Sequence, residues 1–161
     1  MKQMKMQQSI VDDDFWTPLD LYERLCKLYN IKPELDVAAS QQNTKCDNFL
    51  TNALFEEWYT LVGGGHNIRL VDVWCNPPHS LTEEFIRRAD SQHKKYNINI
   101  MMIVPSNTES TKVWSELIEN DHYDLVENHR VEGRPRFLQH GNTKTKFSSR
   151  NAYRVLIWRS H

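Results

Sequence analysis

Leu21, Leu25 and Leu28 recur at helical spacing and predict an amphipathic helix running to about Tyr29. The Thr17-Pro18-Leu19-Asp20 segment in front reads as a helix start. Thr17 serves as N-cap, Pro18 suits the first helical position, and Asp20 favours the first turn. After Pro33-Glu34, Leu35-Asp36-Val37-Ala38-Ala39 predicts a short strand ending in small residues. Ala53 to Leu61 is expected as a short helix, broken by Gly63-Gly64-Gly65. No Gly-Lys-Ser/Thr follows these glycines and a strand comes next, so they are expected as a flexible connection rather than a phosphate loop.

Arg69 to Cys75, with Leu70, Val71, Val73 and Trp74, predicts a second strand that stops at Asn76-Pro77-Pro78. Ser80 or Thr82 is the expected cap of a helix carrying Leu81, Phe85, Ile86 and Ala89. Ile98 to Val104 is almost continuously apolar, as in a parallel strand covered on both faces, and Pro105 ends it. Thr111 to Asn120, with Val113, Trp114, Leu117 and Ile118, predicts another helix. Two late strands are expected near Tyr123 to Val131 and Ala152 to Trp158, separated by a polar, basic loop from Gln139 to Asn151.

Strands thus alternate with helices, which predicts an α/β fold with a mostly parallel sheet. Ligands in such sheets bind at the carboxyl ends of strands. Here those ends are Asp36-Val37-Ala38-Ala39, Asn76-Pro77-Pro78-His79 and Pro105-Ser106. Residues 1–14, polar and Gln-rich, are expected as a flexible arm, and residues 15–161 as a single domain.

With 161 residues and 39% hydrophobic content the chain suits one core. No apolar run is long enough to cross a bilayer, and the N-terminus lacks the apolar stretch of a signal peptide, so a cytoplasmic protein is expected. The cysteines are three, Cys26, Cys46 and Cys75, without a CxxC, and the histidines form no HxxxH or HExxH pattern. Neither a disulfide framework nor a metal is expected. Trp58, Trp74, Trp114, Trp158 and Cys75 are expected in the core, and His93, His122, His129 and His140 on the surface.

Formal net charge is only -1, but its distribution is uneven. From Arg130 to Arg159 stand eight basic residues and a single acid, Glu132. This pattern fits either a polyanion-binding surface or charges scattered around a solvated face.

The chemistry concentrates at Asn76-Pro77-Pro78-His79. Two consecutive prolines fix φ and donate no N–H, so they stiffen the loop and leave the Pro77 carbonyl to accept outward. With the Asn76 side-chain carbonyl it forms a pair of acceptors suited to a substrate NH2 group. Accepting both hydrogens draws the nitrogen lone pair out of ring conjugation and makes it nucleophilic. The same residues also suit a plain strand-ending turn.

Asn-Pro-Pro followed by an aromatic is the signature of amino-group methyltransferases, and the chain resembles more specifically the phage-type DNA N6-adenine methyltransferase (Dam) family. The likeness runs from about Trp16 to Trp158. Its pieces are Trp16-Thr17-Pro18, Leu35-Asp36-Val37-Ala38-Ala39-Ser40, Asn43, Cys46, Phe49, Leu54 and Trp58, then Val73-Trp74-Cys75-Asn76-Pro77-Pro78-His79-Ser80. Ile103-Val104-Pro105, Thr108, Trp114, Gly133-Arg134, Phe137 and Val155-Leu156-Ile157-Trp158 complete it.

The resemblance implies a Rossmann-like methyltransferase, helices on both faces of its sheet, that uses S-adenosylmethionine to methylate N6 of adenine in DNA. It implies a cofactor site at Asp36, Val37, Ala38 and Ala39 with Trp16, Thr17, Pro18 and Asn76. Asn76, Pro77, Pro78 and His79 would take the base, and Arg134, Arg136, Lys144, Lys146 and Arg150 the DNA phosphates during base extrusion. It is also compatible with a virus-encoded enzyme acting in the host cell. Two features depart from common patterns. Ala38-Ala39-Ser40 stands where many methyltransferases have Gly-x-Gly, and His79 where Tyr or Phe is usual. Imidazole stacks with less area and titrates near neutral pH, so an altered pH dependence is expected. The same loop would also serve cytosine N4, an RNA base or a protein glutamine, and a non-catalytic DNA-binding module of the same fold is the alternative from another class.

Overall fold

The computed structural model describes residues 15–119, 126–139 and 151–161. The arm expected at 1–14 lies outside the described residues, as do Lys144, Lys146, Arg150, His122 and His140. The elements in chain order are β1 (Phe15–Trp16), α1 (Leu19–Tyr29), β2 (Pro33–Asp36), β3 (Asn48–Phe49), β4 (Thr60–Val62), β5 (Asn67–Arg69), β6 (Asp72–Cys75), α2 (Thr82–Tyr96), β7 (Ile100–Pro105), β8 (Val126–Arg130), β9 (Leu138–Gln139) and β10 (Tyr153–Trp158).

Among the described residues six strands form the main sheet, in the order β3-β2-β6-β7-β10-β8. The pairs β3–β2, β2–β6 and β6–β7 are parallel, while β10 is antiparallel to both neighbours. The sheet is therefore mostly parallel and the fold mixed α/β.

Successive strand residues point to opposite faces, and the sequence uses both. Val73, Cys75, Ile100, Met102, Val104, Leu156 and Trp158 pack on one face with Phe85, Ile86 and Ala89 of α2. Trp74, Met101, Ile103, Val155 and Ile157 pack on the other with Leu21, Tyr22 and Leu25 of α1. This double burial explains the near-continuous apolar run in β7. The four tryptophans expected inside are at most 2% exposed.

Both helices end identically. Tyr29-Asn30-Ile31 and Tyr96-Asn97-Ile98 each put the asparagine in the left-handed region, at φ 54° and 53°, which asparagine tolerates at helix ends. The following isoleucine then drops into the core. Ile31, not Leu28, thereby closes the apolar face of α1, and Leu28 is 66% exposed.

Other expectations are corrected. Ala53 to Leu61 forms no helix; Thr60–Val62 pairs with Asn67–Arg69 as a hairpin. Gly63, Gly64 and Gly65 supply positive φ at its turn. Arg69 to Cys75 is split between this hairpin and β6. The helix expected at Thr111 to Asn120 is present over residues 112–118, but it is short and continues after residue 113 as a π-helical turn at Trp114–Ile118; Asn120 lies outside the described residues. Neither Ser80 nor Thr82 caps α2 through its side chain; a 3-10 turn, His79–Leu81, leads into it. His93 is buried, its Nδ1 2.8 Å from the Ile98 carbonyl, and His129 is half-buried and stacked on Tyr29.

Residues 51–59 are held without helix by side chains. Trp58 Nε1 donates to the Ala53 carbonyl at 2.9 Å, and the Trp58 backbone N–H donates to Gln92 Oε1 at 2.7 Å. Replacing Gln92 by Ala leaves that buried N–H without its acceptor. A loss of about 1–3 kcal/mol in urea unfolding is expected; a change below about 0.5 kcal/mol would mean the contact is incidental.

Candidate active site

The parallel pairing of β2 with β6 and of β6 with β7 aligns the carboxyl ends of the three strands. Asp36 ends β2 and is buried. Its Oδ1 accepts the Ala38 N–H at 3.2 Å and its Oδ2 the Lys45 N–H at 2.9 Å. Asn43 Oδ1 accepts the Ser40 N–H at 2.7 Å. Carboxylate and amide oxygens thus order the Ala38-Ala39-Ser40 loop without any glycine in it.

Asp36 opens on a cavity lined also by Trp16, Thr17, Ala38, Asn43, Lys45, Trp74 and Asn76. It is small, about 10 Å³, space for about one water-sized group. Thr17 does not cap α1; its buried Oγ1 borders this cavity and has no hydrogen-bond partner among the described residues. Of the residues expected around a cofactor, Trp16, Thr17, Asp36, Ala38 and Asn76 therefore converge. Val37 and Ala39 are buried, Val37 in the core on the α2 face, and Pro18 sits half-buried before α1.

Asn76 follows β6, and its Nδ2 donates to the Phe15 carbonyl at 2.6 Å. Pro77 and Pro78 are buried. The Pro78 carbonyl accepts the Leu81 N–H at 2.9 Å, whereas the Pro77 carbonyl accepts no hydrogen bond among the described residues. His79 stacks on Phe15, with centroids 4.7 Å apart and planes at 24°. Tyr153 lies beyond it at 6.3 Å, itself stacked on Phe137 at 4.4 Å. Burial pushes the Tyr153 hydroxyl up to about 12, so it stays neutral.

His79 also borders a second, larger cleft of about 550 Å³, lined among others by Ser80, Glu83, Ser106, Asn107 and Thr108. Asn76 touches the small cavity and His79 the large one, so Asn76-Pro77-Pro78-His79 stands as the partition between them.

The basic third is less cationic than its composition suggests. Arg154 pairs with Glu109 at 2.5 Å, and Arg159 pairs with Glu127. Arg134 and Arg136 are exposed and form no ion pair among the described residues. Among the described residues no group of three or more His, Cys, Asp or Glu side chains gathers to hold a metal, and no helix is long and apolar enough to cross a membrane. Sequence reasoning assigned no role to Phe15, Lys45 or Tyr153. Phe15 carried a weak signal, as the apolar residue directly before Trp16-Thr17-Pro18.

The model of the DNA N-6-adenine-methyltransferase (Dam) family matches residues 5–161. The chain belongs to that family. A DNA N-6-adenine-methyltransferase of Haemophilus phage HP1 is 30% identical over 119 residues, covering 71% of this chain and 62% of the relative. Another, of Escherichia phage T1, is 34% identical over 111 residues, covering 66% of this chain and 42% of the relative. The chain thus spans about half the length of these curated relatives.

The three thiols are poor nucleophiles. Burial, then the Asp36 carboxylate, raises Cys75 well above the ordinary thiol range and pushes Cys46 up to about 12. Burial likewise raises Cys26. A raised value leaves less thiolate at any pH below it. Alkylation of Cys46 and Cys75 by iodoacetamide at pH 8 is therefore expected to be at least about tenfold slower in the folded protein than in urea, with Cys26 also slowed. Equal rates in both states would contradict these environments.

Proposed function

We propose that the chain is an S-adenosylmethionine-dependent methyltransferase acting on N6 of adenine in DNA, with a Rossmann-like methyltransferase fold from residue 15 to 161. The observation that carries this reading is the rigid Asn76-Pro77-Pro78-His79 partition, with a polar cavity on one side and an open cleft on the other. Family membership and the names of the two phage relatives support the same substrate.

The residues lining the small cavity carry the polar groups for the amino-acid end of the cofactor; the cavity itself holds only about one water-sized group, so these residues have to part to admit that end. Asp36 suits its ammonium, Lys45 and the Thr17 hydroxyl suit its carboxylate, and the Thr17 Oγ1 has no other partner among the described residues. When bound, S-adenosylmethionine supplies a methyl group already activated on a sulfonium. The chain's own part is to prepare the nucleophile. Asn76 Oδ1 and the Pro77 carbonyl accept the two hydrogens of the adenine amino group and draw its lone pair out of conjugation. His79 borders the cleft beside these acceptors, with one face of its ring stacked on Phe15. As the amino nitrogen takes the methyl group it gives up one proton to solvent through the open cleft, and because the methyl donor would arrive already activated, neither a metal nor a strong general base is required of these residues. Extrusion of the base needs a grip on the strand, and exposed Arg134 and Arg136 suit phosphates, with Lys144, Lys146 and Arg150 continuing the same basic segment in sequence.

The test is nucleoside mass analysis of duplex DNA incubated with the purified protein and S-adenosylmethionine. N6-methyladenine is expected; N4-methylcytosine, or modification of RNA alone, would move the substrate, and no modified base would sink the reading. Asn76→Ala is expected to lower the rate at least about 100-fold, because an acceptor that acts in the transition state is lost. Near-wild-type turnover would remove Asn76 from the chemistry.

DNA affinity should fall with salt, since each phosphate contact releases counterions. Replacing Arg134 and Arg136 by Ala is expected to flatten log K against log salt by about one unit per lost contact, alike on all sequences. An unchanged slope by fluorescence anisotropy would show these arginines to be ordinary solvated residues.

A further inference from the structure

Phe15 enters the site twice. Its backbone carbonyl receives Asn76 Nδ2 at 2.6 Å, and its ring stacks on His79. A carbonyl oxygen only accepts, so the Asn76 atom facing it must be the NH2 donor. The amide oxygen of Asn76 is thereby turned away from Phe15. In the flipped amide, an NH2 group would meet the substrate NH2, donor against donor, and its nitrogen lone pair would stay in ring conjugation. We propose that Phe15 is a positioning residue for methyl transfer, holding the Asn76 amide with Oδ1 presented to the substrate amine. This rests on the methyltransferase reading above.

Three contacts keep the Phe15 carbonyl where it is. Phe15 and Trp16 pair antiparallel with Gln139 and Leu138, so the segment is anchored by backbone. The Phe15 ring packs against the buried cluster that carries α1. One face of the ring is stacked on His79, which in turn lies 6.3 Å from Tyr153, itself stacked on Phe137. Neighbouring Trp16 borders the small cavity, and the Phe15 ring stacks on His79, which borders the large cleft. Removing the ring leaves the carbonyl in the chain but takes away two of these anchors.

The orientation is read directly in 15N spectra of the holoprotein, from the Asn76 side-chain amide assigned by its loss in Asn76→Ala. In Phe15→Ala this resonance is expected to move toward that of a free amide, and in Phe15→Tyr, which keeps a stacked ring, to return toward wild type. In turnover, Phe15→Ala is expected to lower kcat about tenfold or more, with KM for S-adenosylmethionine within about threefold. In an Asn76→Asp background there is no amide to orient, so Phe15→Ala should then change kcat less than about twofold. Phe15→Leu, which keeps an apolar side chain toward α1, is measured alongside in case the alanine variant unfolds. An unmoved Asn76 resonance, or the same fold-loss in both backgrounds, overturns the proposal. A wild-type protein that transfers no methyl group sinks the methyltransferase reading instead, and the resonance then decides the amide orientation alone.

Discussion

The parallel pairing of Leu35 and Asp36 with Val73 and Trp74, and of Val73 to Cys75 with Ile100 to Met102, is the constraint on which the rest depends. Parallel neighbours cannot be joined by a tight turn, so α2 carries the chain from the end of β6 back to the start of β7. Both faces of the sheet are then apolar and need cover, which α1 and α2 give on opposite sides. The same pairing delivers Asp36 and Asn76 side by side at one edge. A one-residue slip would exchange the faces of Val73 and Trp74 and carry Asn76 away from Asp36.

Rigidity at that edge has separate local causes. Two prolines set the partition loop, a buried carboxylate ties down two backbone N–H groups of the neighbouring loop, and Phe15 closes the front. The Asp36 carboxylate and the Phe15 carbonyl satisfy polar groups that would otherwise cost free energy when buried, whereas the prolines act by fixing φ. The Thr17 hydroxyl is buried and has no hydrogen-bond partner among the described residues. It borders the cavity beside Asp36, where a ligand's polar end would satisfy it.

Much of this was legible in the chain. β6, β7 and β10 announce themselves as apolar runs, and α1 and the apolar stripe of α2 as helical spacings, because in those segments local pattern and burial agree. That Asn76-Pro77-Pro78-His79 forms a stiff loop directly after β6 was legible because two consecutive prolines end a strand wherever they occur. The failures share a cause in tertiary context. Ala53 to Leu61 has helical composition, yet Trp58 is pinned to Ala53 and Gln92, and only the second of these contacts is distant in sequence. Leu28 fits the stripe, but the left-handed Asn30 turns Ile31 into the seat Leu28 would need. Counting charges could not reveal that Arg154 and Arg159 already have carboxylate partners. Phe15 could not be found from spacing, because its partner Asn76 is 61 residues away.

The central claim is that the edge formed by Asp36, Thr17 and Asn76 seats the methyl donor and that the partition loop faces the acceptor. A crystal structure with a non-reactive analogue of S-adenosylmethionine tests it most directly. The account predicts the amino-acid end of the analogue at Asp36 and Thr17, with the position of its methyl group directed at the Asn76 and Pro77 acceptors. An analogue bound elsewhere on the chain, with these residues untouched, would contradict it.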